Sequence, residues 1–379
     1  MKNNVTFPAV LLAAIAALFA CGEDRSVVLD GGAGATCLDC DGGAPDGSAP
    51  GPDKTAFVVT TDYSTGSCAT IDLATRAATT NLCSIHSDAV ARYHNGMVYV
   101  INRLEQDNIQ ILGPANGYAT VAQYSVEAGS NPQDIAFAKG KAYVTRQNSN
   151  KVLVVKPDSG EKLGEIDLSS FADADGFCEP GAMYSDGTSV FVTVLRLDRN
   201  NMLNPTDKSF VAVVDAATDK VAGEGIQLYT VNPWPGFVRD GDYLYLATSG
   251  TFGSQNGAVE MIDPAARKDL GISVEARTLG GDINHFTVSK GVIYAVITDA
   301  NFATALVSYD TAAATRTVLL QSAGFDLAGV AVNDRGEMYV SDRNATKPGI
   351  RIFDTKTGTE LTPAPIDTGL PPFVTVFVK

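Results

Sequence analysis

The sequence predicts an all-β chain: a seven-bladed β-propeller of four-stranded antiparallel blades, closed by the C-terminal strand joining the N-terminal blade. Three observations predict it. An aromatic residue recurs in a β-rich second strand at Phe57, Tyr99, Tyr143, Phe191, Tyr245, Tyr294 and Tyr339, at separations of about 42 to 54 residues, within or near the range of propeller blades. An aspartate closes the third strand before a small-residue turn at Asp72, Asp215, Asp263, Asp310 and Asp354. The last stretch, residues 370–379 (LPPFVTVFVK), begins like the other first strands and stops where a turn and second strand should follow.

In chain order, Lys2 precedes an apolar run over 5–20 that is broken only by Thr6 and Pro8 and ends at Cys21. The run is too short and one-sided to span a bilayer and fits a secretory signal. Leu18-Phe19-Ala20-Cys21 is similar to a lipoprotein signal-peptidase site, which makes 1–20 a signal peptide and Cys21 the lipidated mature N-terminus. Two or three acyl chains hold a protein on a bilayer where one would not. Residues 21–54 are rich in Gly, Ala, Asp and Pro, with few large apolar side chains. They are expected to form a disordered tether of about 32 residues after the cysteine, spanning roughly 30 Å as a flexible coil.

The propeller occupies 55–379. Its unit is clearest in 131–168, where 134–138 is a first strand and Lys139-Gly140 a tight turn. Residues 141–145 return as the second strand, 151–155 form the third, and a Pro157 to Gly160 turn leads into an alternating fourth strand over 163–168. An aspartate at a turn accepts hydrogen bonds from backbone N–H groups one or two residues on, so the five recurring aspartates read as turn chemistry. Blades four and five carry insertions over 195–209 and 249–257. Residues 56–85 supply only three strands, so the C-terminal strand is expected to complete blade one and remove the exposed edges.

Tyr143-Val144-Thr145 followed by Ser149-Asn150-Lys151-Val152 resembles the YVTN-type bacterial β-propeller repeat. The resemblance covers 55–379 as a repeat pattern, and Arg146 stands where the repeat usually has Asn. It implies a seven-bladed propeller at a bacterial cell surface and no chemistry, because propellers host many activities. Gly22 after the cysteine resembles lipoproteins sent on to an outer membrane, so the expected location is the cell envelope, facing periplasm or cell surface.

A formal net charge of −15 without a basic run argues against nucleic acid as a partner and mostly promotes solubility. The domain is expected to be monomeric. With six cysteines in an exported chain, disulfides can persist. Cys68 and Cys83 flank one turn almost symmetrically, which places them opposite each other on strands three and four of blade one, where a cross-strand disulfide fits. Cys37 and Cys40 suit a local disulfide better than a metal site, since no second ligand pair accompanies them. Cys178 reads as a buried thiol.

No nucleophile elbow, P-loop, paired-histidine zinc motif or dinucleotide fingerprint is present. Of three histidines, His94 lies beside the Asn95-Gly96 turn and is expected to be solvated. His86 and His285 lie near the starts of blades and read as surface or channel residues. In a propeller the segments leading into strand one and the loops joining strands two and three share one rim of the channel, the usual binding face. Mapped there are His86, Asp88, Asn131, Asp134, Glu179, Trp234, Asp282, Asn284, His285 and Asp326, with Arg103, Arg146, Arg196, Arg199 and Arg343 from the other loops. Solvated loop charges are the ordinary reading of such a set. Arginine shortly after the second-strand aromatic in four blades nevertheless suits an anionic ligand, since guanidinium groups are good donors to carboxylates and phosphates. Arg103, Arg146 and Arg343 are expected to lead, with Trp234, Asp134, Glu179 and His285 around them.

Two functions compete. One is a non-enzymatic surface propeller that binds a protein, peptide or glycan through this rim and the long loops, without a cofactor. The other resembles the propeller lactonases, with Glu179, Asn131, Asn284 and Asp282 holding a divalent metal that polarises an ester carbonyl. A quinone-dependent dehydrogenase is a distant third, because a single Trp cannot supply the docking motif that such proteins carry in every blade.

Overall fold

A computed structural model describes residues 51–379; the expected signal peptide, Cys21, the Cys37 and Cys40 pair, and the expected tether up to residue 50 lie outside the described residues. Seven antiparallel sheets form a ring whose innermost strands touch in sequence order. These inner strands are Ala89–His94, Pro132–Ala138, Pro180–Ser185, Gly236–Asp240, Asp282–Ser289 and Leu327–Val332 for blades two to seven. Blade one takes its inner strand, Pro372–Val378, from the other end of the chain; it pairs with Thr55–Thr61, which pairs with Gly66–Asp72 and then Ala78–Ile85. The ring is closed by backbone hydrogen bonds between the two ends of the domain, so the inner edge of Thr55–Thr61 is not left open.

The core lies between blades. Every marker aromatic is buried, and several reach the turn between strands three and four of the following blade. The Tyr143 hydroxyl donates to Asp219 Oδ1 at 2.7 Å, Tyr294 to the Thr355 carbonyl at 2.7 Å, and the Phe57 ring lies 5.3 Å from that of Tyr118. One blade cannot bury both of its faces, so the aromatic is the piece each blade lends its neighbour. The five aspartates do close their turns, with the donors two or three residues on rather than one or two: Asp72, for example, accepts from Ala74 N at 3.0 Å and Thr75 N at 2.7 Å, Asp263 from Ala266 N, and Asp354 from Lys356 N and Thr357 N. In the Lys139-Gly140 hairpin both residues have positive φ, 50° and 73°, which a two-residue turn matching the strand twist requires. Cys68 and Cys83 are directly paired across strands and joined by a disulfide.

Two blades depart from the regular unit. In blade four the outer strand is split into Lys220–Val221 and Ile226–Gln227. In blade seven it is reduced to two isolated bridges, Ile350 with Ile366 and Phe353 with Glu360. Pro363 and Pro365 lie in that stretch and have no N–H to give a ladder, so a continuous strand cannot form. His94 is a correction to the sequence reading. It ends the inner strand of blade two, is buried rather than solvated, and its ring stacks on Phe137 of blade three with centroids 3.9 Å apart.

Candidate functional site

The two rims of the propeller are chemically different. One carries the hairpins between strands one and two and the turns between strands three and four. The chain enters on that side: Asp53 and Asp334 exchange backbone-to-carboxylate hydrogen bonds at 2.8 and 3.0 Å, and Arg335 donates to the Asp53 carbonyl. The opposite rim carries the loops between strands two and three and the segments between blades, including both insertions.

On blades two to four this loop rim is a connected polar network. Arg103 is almost fully buried, pairs with Asp88, and reaches Gln133 of the next blade at 3.5 Å. Asn131 Nδ2 donates to Gln147 at 2.8 Å while its Oδ1 accepts from Leu104 N. Arg199, from the blade-four insertion, donates to the Gln147 carbonyl at 3.0 Å and to Glu179 at 2.7 Å, with its guanidinium over the Phe177 ring. The other Glu179 oxygen accepts from Leu197 N at 3.0 Å. Burial pushes the Glu179 carboxyl up, and Arg199 opposes the shift. Asp88, Arg103, Asn131, Glu179 and Arg199 are thus brought together, and what they do is fasten loops.

Arg146 and Arg343 lie elsewhere. Arg146 is buried and pairs with Glu127 and with Glu165 at 2.8 Å, holding the latter carboxyl down to about 2. Arg343 donates to the carbonyls of Pro372 and Thr61 and covers the Tyr63 ring at 4.4 Å. Each of the three arginines favoured for an anion therefore has its own partners inside the protein. Arg196 donates to the Lys208 carbonyl and covers the Phe210 ring.

Asp134 and His285 are interior rather than at the rim surface. They occupy equivalent inner-strand positions, and each accepts a hydrogen bond from the backbone of the next blade: Met183 N to Asp134 at 2.8 Å, Val330 N to His285 Nδ1 at 3.3 Å. Asp134 also receives Arg92 of blade two on both oxygens at 2.9 Å. Burial raises its carboxyl above the usual range, and Arg92 opposes that. His86 takes part in a local contact with the Asp88 backbone. Asp326 accepts from Asn344, and Asn284 donates to Thr298.

On blades five to seven the loop rim changes character. Asp282 holds the second insertion by accepting from Gly253 N at 2.6 Å and Gln255 N at 2.7 Å, and burial raises its carboxyl. Glu260, fully buried, accepts from Tyr229 N at 2.9 Å and Thr230 N at 2.8 Å. Burial, and Asp269 beside it, push its carboxyl up to about 8. Residues 229–232 are zipped to the insertion by Ser249 N to the Asn232 carbonyl and Gly250 N to the Val231 carbonyl. The segment before blade seven is held against Thr304, whose hydroxyl accepts from Asp326 N and Leu327 N. From this braced arc project Tyr229, Phe252, Phe302 and Phe325, exposed by 69, 68, 44 and 51%. The rings of Phe252 and Phe302, from adjacent blades, are 6.2 Å apart. Trp234 sits half-buried in the same arc. Only Trp234 of these aromatics was singled out by sequence; the available signal was that 228–235 (LYTVNPWP) and 249–257 (SGTFGSQNG) contain no charge.

No protein-family model matches the chain, and neither does any curated protein sequence. Solved structures share the fold. Apo AztD from Citrobacter koseri superposes with a TM-score of 0.54 at 13% identity, over 87% of this chain and 99% of that one. A 6-phosphogluconolactonase candidate from Bacteroides uniformis gives 0.59 at 12%, over 86% and 100%. The dihydro-heme d1 dehydrogenase NirN gives 0.54 at 13%, over 87% and 76%. At such identities the likeness is one of fold, a β-propeller, on which unrelated functions are built.

Proposed function

We propose that this chain is a cell-envelope binding module: a propeller tethered to a membrane through lipidated Cys21, with the loop rim as its recognition face for a protein, peptide or glycan. One observation carries the reading. Of the six exposed aromatic side chains among the described residues five lie on the loop rim, Tyr243 being the exception, and the loops of Tyr229 and Phe252 are fastened by the buried carboxylates of Glu260 and Asp282, while the chain enters on the opposite rim. Contiguous exposed apolar groups mark interaction sites. A tether leaving the far side turns that rim away from the membrane.

The hydrolase reading asks Glu179, Asn131, Asn284 and Asp282 to hold a divalent metal. The oxygens of Glu179 and Asp282 are engaged by backbone N–H groups and Arg199, and that of Asn131 by Leu104 N. Among the described residues no three His, Cys, Asp or Glu side chains gather in a metal-holding group. The binding reading asks nothing more of these residues than the loop fastening that they already provide.

The test is capture from the organism's own envelope extract with the wild-type chain and with Phe252→Ser/Phe302→Ser. Exposed substitutions should move stability by no more than about 0.5 kcal/mol, so the melting temperature is expected to hold while the captured set is lost. Identical captured sets would remove this rim as the recognition face. The anchor is tested separately: Cys21→Ser should release the chain from the detergent phase and abolish acyl labelling, and a variant that stays labelled and membrane-bound sinks the anchor.

A further inference from the structure

Two properties of the arc on blades five to seven narrow what it takes, granting the reading above that the loop rim is the recognition face. The first is charge. In a protein of net charge −15, segments 228–235 and 249–257 carry none, and the neighbouring loop 299–303 carries only Asp299. Charge depletion with aromatic enrichment is the compositional mark of the centre of a protein–protein contact.

The second property is what the nearby polar side chains already do. Asp282 accepts from Gly253 N and Gln255 N, Asn256 Oδ1 from Thr251 N at 2.8 Å, and Asp299 from Asn301 N at 2.8 Å and Ala303 N at 2.9 Å. Glu260 is committed to Tyr229 and Thr230. A glycan needs directional partners for many hydroxyl groups, and these carboxylates and this amide oxygen are committed to the loops' own backbone. The large side chains that the arc turns outward are rings, Phe252 and Phe302 as a pair with Tyr229 and Phe325 on the flanking segments, beside the short polar side chains of Ser254, Asn256 and Asn301. The internal hydrogen bonds also order the loops beforehand, so less entropy is lost on binding.

We infer that the occupant of this arc is a polypeptide presenting aromatic and aliphatic side chains, with little charge on its contact face. Its apolar side chains pack against the Phe252 and Phe302 rings, and its charged residues fall outside the uncharged window.

The experiment uses the full chain, an array of short synthetic peptides graded in aromatic and aliphatic content, and an array of bacterial polysaccharides. Retention should rise with apolar content on the peptide array. It should fall at least about tenfold for Phe252→Ser/Phe302→Ser, as expected where two central aromatic anchors are lost. Met97→Ser, on the opposite rim, should leave it unchanged. Polysaccharide retention that the double variant abolishes would overturn the polypeptide and leave the recognition face standing. Self-association of the wild type in sedimentation, lost in the double variant, would replace the partner with a second copy of this chain. Retention equal in wild type and double variant would overturn both the occupant and the face, and no retention on either array overturns the occupant.

Discussion

Removing residues 373–379 is expected to abolish cooperative folding of the propeller. The deletion takes out nearly all of Pro372–Val378, the inner strand of blade one. Phe373, Val374, Val376 and Val378 are all buried there. Burying each such side chain contributes about 1.5–3 kcal/mol, so the four together approach the roughly 5–15 kcal/mol that separates a whole native domain from its unfolded state. The damage spreads to both neighbours. The strand contacts the inner strands of blades seven and two, and Gly329 of blade seven approaches so closely that a Cβ there would lie 2.6 Å from the Phe373 carbonyl oxygen. Loss of the strand also leaves Thr55–Thr61 with an open edge, a template for association. Urea unfolding followed by circular dichroism gives the result. A truncated chain with a sharp transition at nearly the full chain's midpoint would mean that closure through this strand does not hold the ring together.

That strand was legible because a repeat announces what is missing: three strands at one end and one at the other make a blade. The aromatic and aspartate markers were legible for the same reason, since each performs one local task that recurs with the repeat. What was not legible depends on contacts between blades. Asn95-Gly96 correctly marks a turn, yet the burial of His94 is decided by Phe137, a residue of the next blade. Arginine after the second-strand aromatic was visible, but a guanidinium free for a ligand and one paired with Asp88 or Glu165 are written identically in sequence. The aromatic arc was hidden differently. Tyr229, Phe252, Phe302 and Phe325 occupy loops of unequal length outside the repeat register, so periodicity could not align them. Only the absence of charge in 228–235 and 249–257 pointed there, and the segments of Phe302 and Phe325, with Asp299 and Asp326, gave no such signal. Arg92 did carry a readable signal: a lone cation inside the apolar inner strand AVARYH requires a buried partner, because charges are almost never buried unpaired.

That partner, Asp134, supplies the second large effect: Arg92→Met is expected to destabilise the propeller by about 3–5 kcal/mol near neutral pH, the range seen when one member of a buried ion pair is removed. Both side chains are almost fully buried; Arg92 Nη2 donates to one Asp134 oxygen and its Nε lies in ion-pair contact with the other, and the carboxylate also accepts from Ile135 N and Met183 N. The pair therefore joins blade two to blade three, while the same carboxylate joins blade three to blade four. The sign of the pH dependence follows from Asp134. Burial already raises its folded carboxyl above the ordinary value against the pull of Arg92, and removing that pull raises it further. Between the unfolded value, about 3.9, and the raised folded value, the folded state binds more protons than the unfolded state, so stability falls as pH rises. Below that window the protonated carboxyl needs no cation, and the deficit of Arg92→Met should be small. Above it, the deficit should be fully developed. Adding Asp134→Asn to Arg92→Met keeps an oxygen for Met183 N, removes the charge, and should recover much of the loss and flatten the pH profile. Urea midpoints for wild type, single and double variants at a pH below about 3.9 and at mildly alkaline pH decide it. A single variant whose deficit is the same at both, and which the second substitution does not rescue, would show that Arg92 contributes through packing rather than by neutralising the carboxylate between blades two, three and four.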